Sequence, residues 1–258
     1  MKRAILTLMW MFTASVIASA QTTFFYPHVV NGVLGAITWK TTIFLANTST
    51  AGTATGAISF TQDNADKIAS GSSWNITLTD DTGATVTSSL FTFSLPPGAS
   101  RKWISTSPGG FVSGFANVTT NNGIVNGTAI FSEFDTAGNL VGEAGVPSVN
   151  PAPRQAILLD NIGRYSVGFA MANPGTSVAN ITLTLLDSNG AAIGSPVTQT
   201  LGAGNHTQAF TSQIFTGVSQ PPVGTMQISS STPLISIALR FDPTLSKFTT
   251  LPPVTLGQ

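Results

Sequence analysis

Two short phrases, Leu45-Ala46-Asn47-Thr48-Ser49-Thr50 and Met171-Ala172-Asn173-Pro174-Gly175-Thr176, close two alternating runs, Trp39–Ala46 and Tyr165–Ala172. In the first run Trp39, Thr41, Ile43 and Leu45 alternate with Thr38, Lys40 and Thr42. In the second, Tyr165, Val167, Phe169 and Met171 take the matching places. A period of two sends successive side chains to opposite faces of a strand, so each apolar set is expected to face a core. Ile237, Leu239 and Phe241 alternate in the same way with Ser236, Ala238 and Arg240, and are assigned to the core on the same ground.

Further phrases repeat in the same order. Asn75–Thr79 and Asn180–Thr184 both read Asn-Ile-Thr-Leu-Thr, Ser94–Ser100 resembles Thr200–His206, and Ile130–Asp135 resembles Ile237–Asp242. The spacing between copies shortens once, after Asn47, and is nearly constant thereafter. These anchors predict two homologous modules superposing Asn47 on Asn173 and Phe134 on Phe241, with an insertion in the first near residues 50–73. Turns such as Asp81-Thr82-Gly83, Asp135-Thr136-Ala137-Gly138 and Asp187-Ser188-Asn189-Gly190 punctuate the strands, because Asn and Gly adopt positive φ at little cost. No stretch after residue 20 carries a helical period. The expected fold is all-β: two tandem immunoglobulin-like antiparallel β-sandwich domains, 24–146 and 153–255. The Pro-rich stretch 147–152 between them resists helix and ladder pairing and reads as a linker.

The first twenty residues read as a signal peptide: Lys2 and Arg3, an apolar run Ala4–Ile17, then Ala18-Ser19-Ala20. The expected mature chain starts near Gln21, is secreted, cell-surface or periplasmic, and has no membrane span. There is no cysteine, which removes disulfides, thiolate catalysis and cysteine metal sites. Charged residues make up 8% of the chain, with Lys+Arg 10 and Asp+Glu 10, far below the usual ~25%. No basic cluster is present to displace phosphate counterions, so nucleic acid is not an expected partner.

Read in order, Phe25-Tyr26-Pro27-His28-Val29-Val30, the Leu45–Thr50 phrase, Ser113–Phe131, Glu143–Pro147, Tyr165–Gly175, Leu183–Gly190 and Met226–Phe241 resemble tandem β-sandwich modules of secreted bacterial surface proteins with no assigned activity. The resemblance covers nearly all of the expected mature chain. It implies extracytoplasmic sandwiches and carries over no catalytic residue.

The search for chemistry starts from few residues. His28 and His206 lack metal-ligand spacing and are read as structural. No nucleophile elbow accompanies the serines. Glu133 and Asp135 share a strand face and are read as a solvated edge. The turn aspartates lack a calcium-loop spacing, and Gly202-Ala203-Gly204 lacks a dinucleotide fingerprint. No catalytic, cofactor-binding or metal residue is therefore assigned. The candidate ligand-binding set is Asp63, Asp66 and Lys67 of the insertion together with Trp74, read as an exposed aromatic. The expected role is a non-catalytic structural or adhesion-type spacer or interaction surface for an extracellular protein or polysaccharide matrix. The alternative is a carbohydrate-binding module that uses exposed aromatics of the first domain.

Overall fold

Period-two sequences need neighbours to satisfy their backbone groups, and here nearly every run finds one. The computed structural model describes residues 22–106 and 109–257; the signal peptide expected over residues 1–20 lies outside them. The first half contains β1 (Thr22–Leu34), β2 (Ile37–Asn47), β3 (Ala54–Gln62), β4 (Ser72–Ser73), β5 (Ile76–Asp80), β6 (Thr85–Ser88), β7 (Leu90–Leu95), β8 (Ser100–Ser105), β9 (Val112–Asn122), β10 (Val125–Phe134) and β11 (Leu140–Pro147). The second contains β12 (Ala152–Asp160), β13 (Ser166–Ala172), β14 (Ala179–Asp187), β15 (Val197–Leu201), β16 (His206–Phe210), β17 (Val223–Phe241), β18 (Phe248–Leu251) and β19 (Val254–Thr255). Single helical turns at Ile162–Arg164 and Thr211–Ile214 are the helical elements among the described residues.

All ladders between these strands are antiparallel. In the first half β7, β3, β9 and β1 form one layer, and β6, β5, β8, β2, β10 and β11 form another, with the end of β1 crossing to β2. In the second half β15, β14, β17 and β12 form one layer, and β16, β13, β17 and β18 the other. The long strand β17 serves both layers, first beside β12 and β14 and then beside β13. In the first half the same path is broken at Gly123, whose φ of 75° suits glycine. One apolar core of the second half draws Ile157, Phe169, Leu183 and Met226 from both of its layers.

The repeated asparagine has a physical explanation. The side-chain amide of Asn47 donates to the carbonyls of Gly52 and Leu95, while its Oδ1 accepts from Ser49 N–H. Asn173 does the same with Ser177, Leu201 and Gly175. Each backbone also closes the facing turn: Gly98 N–H donates to Asn47 O, and Gly204 N–H to Asn173 O. A wholly buried carboxamide thus stitches a strand end to the turn that leads to the partner strand.

Register keeps the match of Ser94–Ser100 with Thr200–His206 and corrects the other two anchors. Ala54 pairs with Leu95 as Ala179 pairs with Leu201, so β3 corresponds to β14. The counterpart of Asn180–Thr184 is therefore Thr55–Ser59, and the identical phrase at Asn75–Thr79 falls on extra structure. The added segment spans residues 63–89, between β3 and β7, rather than 50–73. Ser132 lies opposite Lys40 as Phe241 lies opposite Ser166, and Lys40 and Ser166 are equivalent by the Asn47–Asn173 spacing. Phe241 therefore matches Ser132 and not Phe134, a slip of two residues that preserves the face and so escapes a pattern of period two.

Facing also differs from expectation in β17. Ala238 belongs to the core of the second half, beside its cross-strand neighbour Phe169. Ile237 and Leu239 point the other way, into the core of the first half, together with Ala170 and Phe248. Small residues at Gly168, Ala170 and Ala172 leave room for that contact. The stretch expected as a linker is also engaged: Val149 forms a two-way backbone bridge with Phe25 and packs beside Phe115, Ala172 and Ile235.

Substituting Ala for Asn47 or Asn173 strands one buried carbonyl, that of Leu95 or Leu201, and unpairs a carbonyl and an N–H in the more exposed turn, and each change should cost about 1–2 kcal/mol. Urea unfolding of the two variants checks this; a loss below about 0.5 kcal/mol at both positions would show that the carboxamides do not hold the turns.

Candidate functional site

The added segment begins by folding onto the second half. The side chain of Asp63 accepts from His206 N–H at 2.6 Å and from Lys67 Nζ at 2.7 Å, and Lys67 Nζ also donates to His206 O at 2.7 Å. Asn205 completes the grip: its Oδ1 accepts from Asn64 N–H, and its amide donates to Ala69 O. Backbone bonds from Gly71 to Ala203 and from Gly202 to Lys67 close the contact on both sides. A Cβ at Gly71 would lie 2.0 Å from Gly204 O, and one at Gly202 would lie 2.1 Å from Ile68 O. Glycine is required here because the two backbones touch.

Of the residues assigned to ligand binding, Asp63 and Lys67 thus lie in this contact between halves. Asp66 shapes the loop by accepting from Ile68 and Ala69 N–H. Trp74 is not an exposed aromatic: it is 5% exposed, and Phe60 meets it edge-on. The added hairpin of β5 and β6 extends a sheet beside β8, and Trp74 seals the core beneath it. Trp103 is equally buried, while Trp39 stacks on Phe248 and meets Phe111 edge-on.

His206 carries the contact inward. Its Nε2 lies 2.7 Å from Nδ1 of His28, the rings stack, and His28 stands edge-on to Phe131. On the far side, Nδ1 of His206 is 3.5 Å from Asp63 Oδ2, a distance at which attraction is chiefly electrostatic. Burial and the neighbouring His206 hold His28 well below the ordinary imidazole range. Burial likewise lowers His206, against the opposing pull of Asp63. Burial disfavours charge on Asp63, but bonds from His206 and Lys67 overcome this and keep its carboxyl below the usual range. Both rings are therefore neutral at pH 7, and one donates its proton to the other. Among the described residues, the side-chain hydrogen bond of His28 is to His206.

Beyond His28 a cavity of about 450 Å³ opens between the halves. Its walls are largely apolar, with Trp39, Phe111, Ile237 and Leu239 among them, and His28, Glu133, Gln208 and Gln213 supply polar groups. Glu133, expected at a solvated edge, is only 4% exposed. Trp39 lies directly across from it on β2, and Gly142 on β11. Burial pushes its carboxyl up to about 7. Sequence reasoning missed this position because the covering elements, β13 and the end of β17, come from the other half. Asp135, by contrast, is a turn residue as its sequence suggests: it accepts from Ala137 and Asn139 N–H. Among the described residues no group of three or more His, Cys, Asp or Glu is placed to hold a metal ion.

Glu133 binds its proton more tightly folded than unfolded, so it favours the folded state most below about pH 4.5. That contribution fades as pH rises towards 7. Glu133→Gln should therefore gain on the wild type between pH 5 and pH 8, becoming the more stable protein at pH 8. Thermal unfolding of both at the two pH values reads this directly; a constant difference would mean that the carboxyl does not titrate in this range.

No known protein family, curated protein or solved structure matches the chain.

Proposed function

We propose that the protein is a secreted, non-catalytic structural or adhesion-type element made of two tandem immunoglobulin-like sandwiches. It acts as a spacer or interaction surface towards an extracellular protein or polysaccharide matrix. The observation that carries this reading is the grip of residues 63–71 on the turn at residues 202–206, which couples the two halves into one body. A spacer transmits position only if its parts do not swivel, and short interdomain contacts alone would leave such motion open.

Two further features support it. Cross-strand threonine pairs, Thr23 with Thr119, Thr77 with Thr87 and Thr79 with Thr85, give uncharged hydroxyl-covered sheet faces. The aspartates at Asp80, Asp135, Asp187 and Asp242 accept from N–H groups of their own turns, which accounts for them without catalysis. The carbohydrate-binding alternative rested on an exposed Trp74, and that premise is gone.

A glycan array and a pull-down from extracellular matrix fractions, both with the exported chain, test the proposal. Capture of a matrix component without turnover supports it, whereas hydrolysis or group transfer by the wild type that is lost on replacing Glu133 or His206 overturns it. Removing residues 64–70 should leave strand content intact while raising the radius of gyration and exposing residues 147–152 to protease. Unchanged scattering after that deletion would remove the grip as the source of rigidity.

A further inference from the structure

The described residues include every carboxylate of the chain, 10 Asp+Glu in all. Nine are engaged. Asp63 holds His206 and Lys67, Asp81 pairs with Arg101, Asp160 with Arg240, and Glu143 accepts from Ser132. Asp66, Asp80, Asp135, Asp187 and Asp242 bind N–H groups of their own loops. Glu133 alone makes neither a hydrogen bond nor an ion pair with any described residue, although it is 4% exposed and lines the cavity between the halves.

No charge on the surrounding elements answers it. On β2 its direct neighbour is Trp39, while the ammonium of Lys40 lies over the Phe134 ring. On β11 its neighbour is Gly142, and Glu143 is bound to Ser132. From β1 comes the neutral His28. From the turn before β18, Leu245 reaches the cavity, while Asp242 binds Thr244 and the N–H of Lys247. Lys247 forms no ion pair with a described residue within 4 Å. A carboxyl with no partner in a largely apolar cavity ionises at a cost, which a partner of opposite charge offsets.

We infer that this cavity is a binding site for a small hydrophobic amine, an aliphatic or aromatic body carrying one protonated nitrogen. The nitrogen meets the Glu133 carboxylate beside the indole of Trp39, an arrangement that favours a cation twice over. The body fills the space bounded by Phe111, Phe210, Ile237, Leu239 and Phe241. The lining contains no Lys or Arg, so carboxylates and phosphates of the same size find no counter-charge. This site stands apart from the matrix role proposed above, since it uses the space between the halves and not their outer faces.

Calorimetric titration of the full exported chain at pH 8 with 4-phenylbutylamine, 4-phenylbutan-1-ol and 4-phenylbutyrate tests the assignment. The amine should bind about tenfold tighter than the alcohol, the gain expected of a charge-assisted bond in an apolar site, and the butyrate should bind weakest. Glu133→Gln should bring amine and alcohol to within about twofold of each other. Near pH 7, repetition in two buffers of different ionisation enthalpy should show the wild type releasing about half a proton per amine bound, with none released by the alcohol or by the variant. No measurable amine binding, equal affinity for amine and alcohol in the wild type, or an amine preference that survives in Glu133→Gln each overturns the proposal. Loss of matrix binding without loss of amine binding would fall on the earlier reading alone.

Discussion

The turn at residues 202–206 has to satisfy two partners at once. From within its own half, Asn173 fixes it through Gly204 N–H and Leu201 O. From the other half, the segment beginning at Asp63 occupies its remaining donors and acceptors, leaving Asn205 and His206 wholly buried. Buried backbone polar groups without partners would cost more than the contact could return, so the turn and the loop must form together. The rest of the arrangement depends on this. With the turn gripped, His206 reaches His28, and the second layer of the second half is held against the first, which encloses the cavity.

Packing on the other side of that layer follows the same logic. A strand with both faces covered needs small residues where backbones approach. β13 carries them at Gly168, Ala170 and Ala172, while Val167, Phe169 and Met171 fill the core behind. β2 carries Thr42, Phe44 and Ala46 at the equivalent positions, two of them larger. Similar strands therefore do different work in the two halves, and only the second turns its outer face into an interface.

Much of this was legible in the residues, and the failures share a cause. The alternation, the all-β class, the asparagine equivalence and the turn aspartates each rest on local chemistry that neighbours in sequence supply. What lay beyond reach was which of two faces another part of the chain would cover. Ile237 and Leu239 were set in the wrong core because a period of two names a face without naming its neighbour. Trp74 was placed at the surface because an added hairpin was not foreseen beneath which it could be buried. The Asn-Ile-Thr-Leu-Thr identity misled because five residues drawn from a Thr-rich alphabet recur on unrelated strands. Glu133 carried no local signal, as the elements of the other half that cover it, β13 and the end of β17, lie more than thirty positions away along the chain.

That last residue shows how the architecture converts a conformational constraint into chemistry. A carboxyl on the open face of a sheet in an isolated half would be hydrated. Docking of the second half limits the water around it but brings no cation, and the same step places the carboxyl in a cavity with Trp39 and apolar residues of β13 and β17. Filling the space with a larger side chain at Gly168 is opposed by Phe241 and Phe210, which already stand 3.2 and 3.5 Å from where a Cβ would be. The space therefore cannot be closed from that wall without moving aromatic rings. Removing the charge would relieve the burial cost, which the raised pKa of Glu133 registers. A local feature that opposes stability while facing a preserved cavity is where binding function is expected to reside.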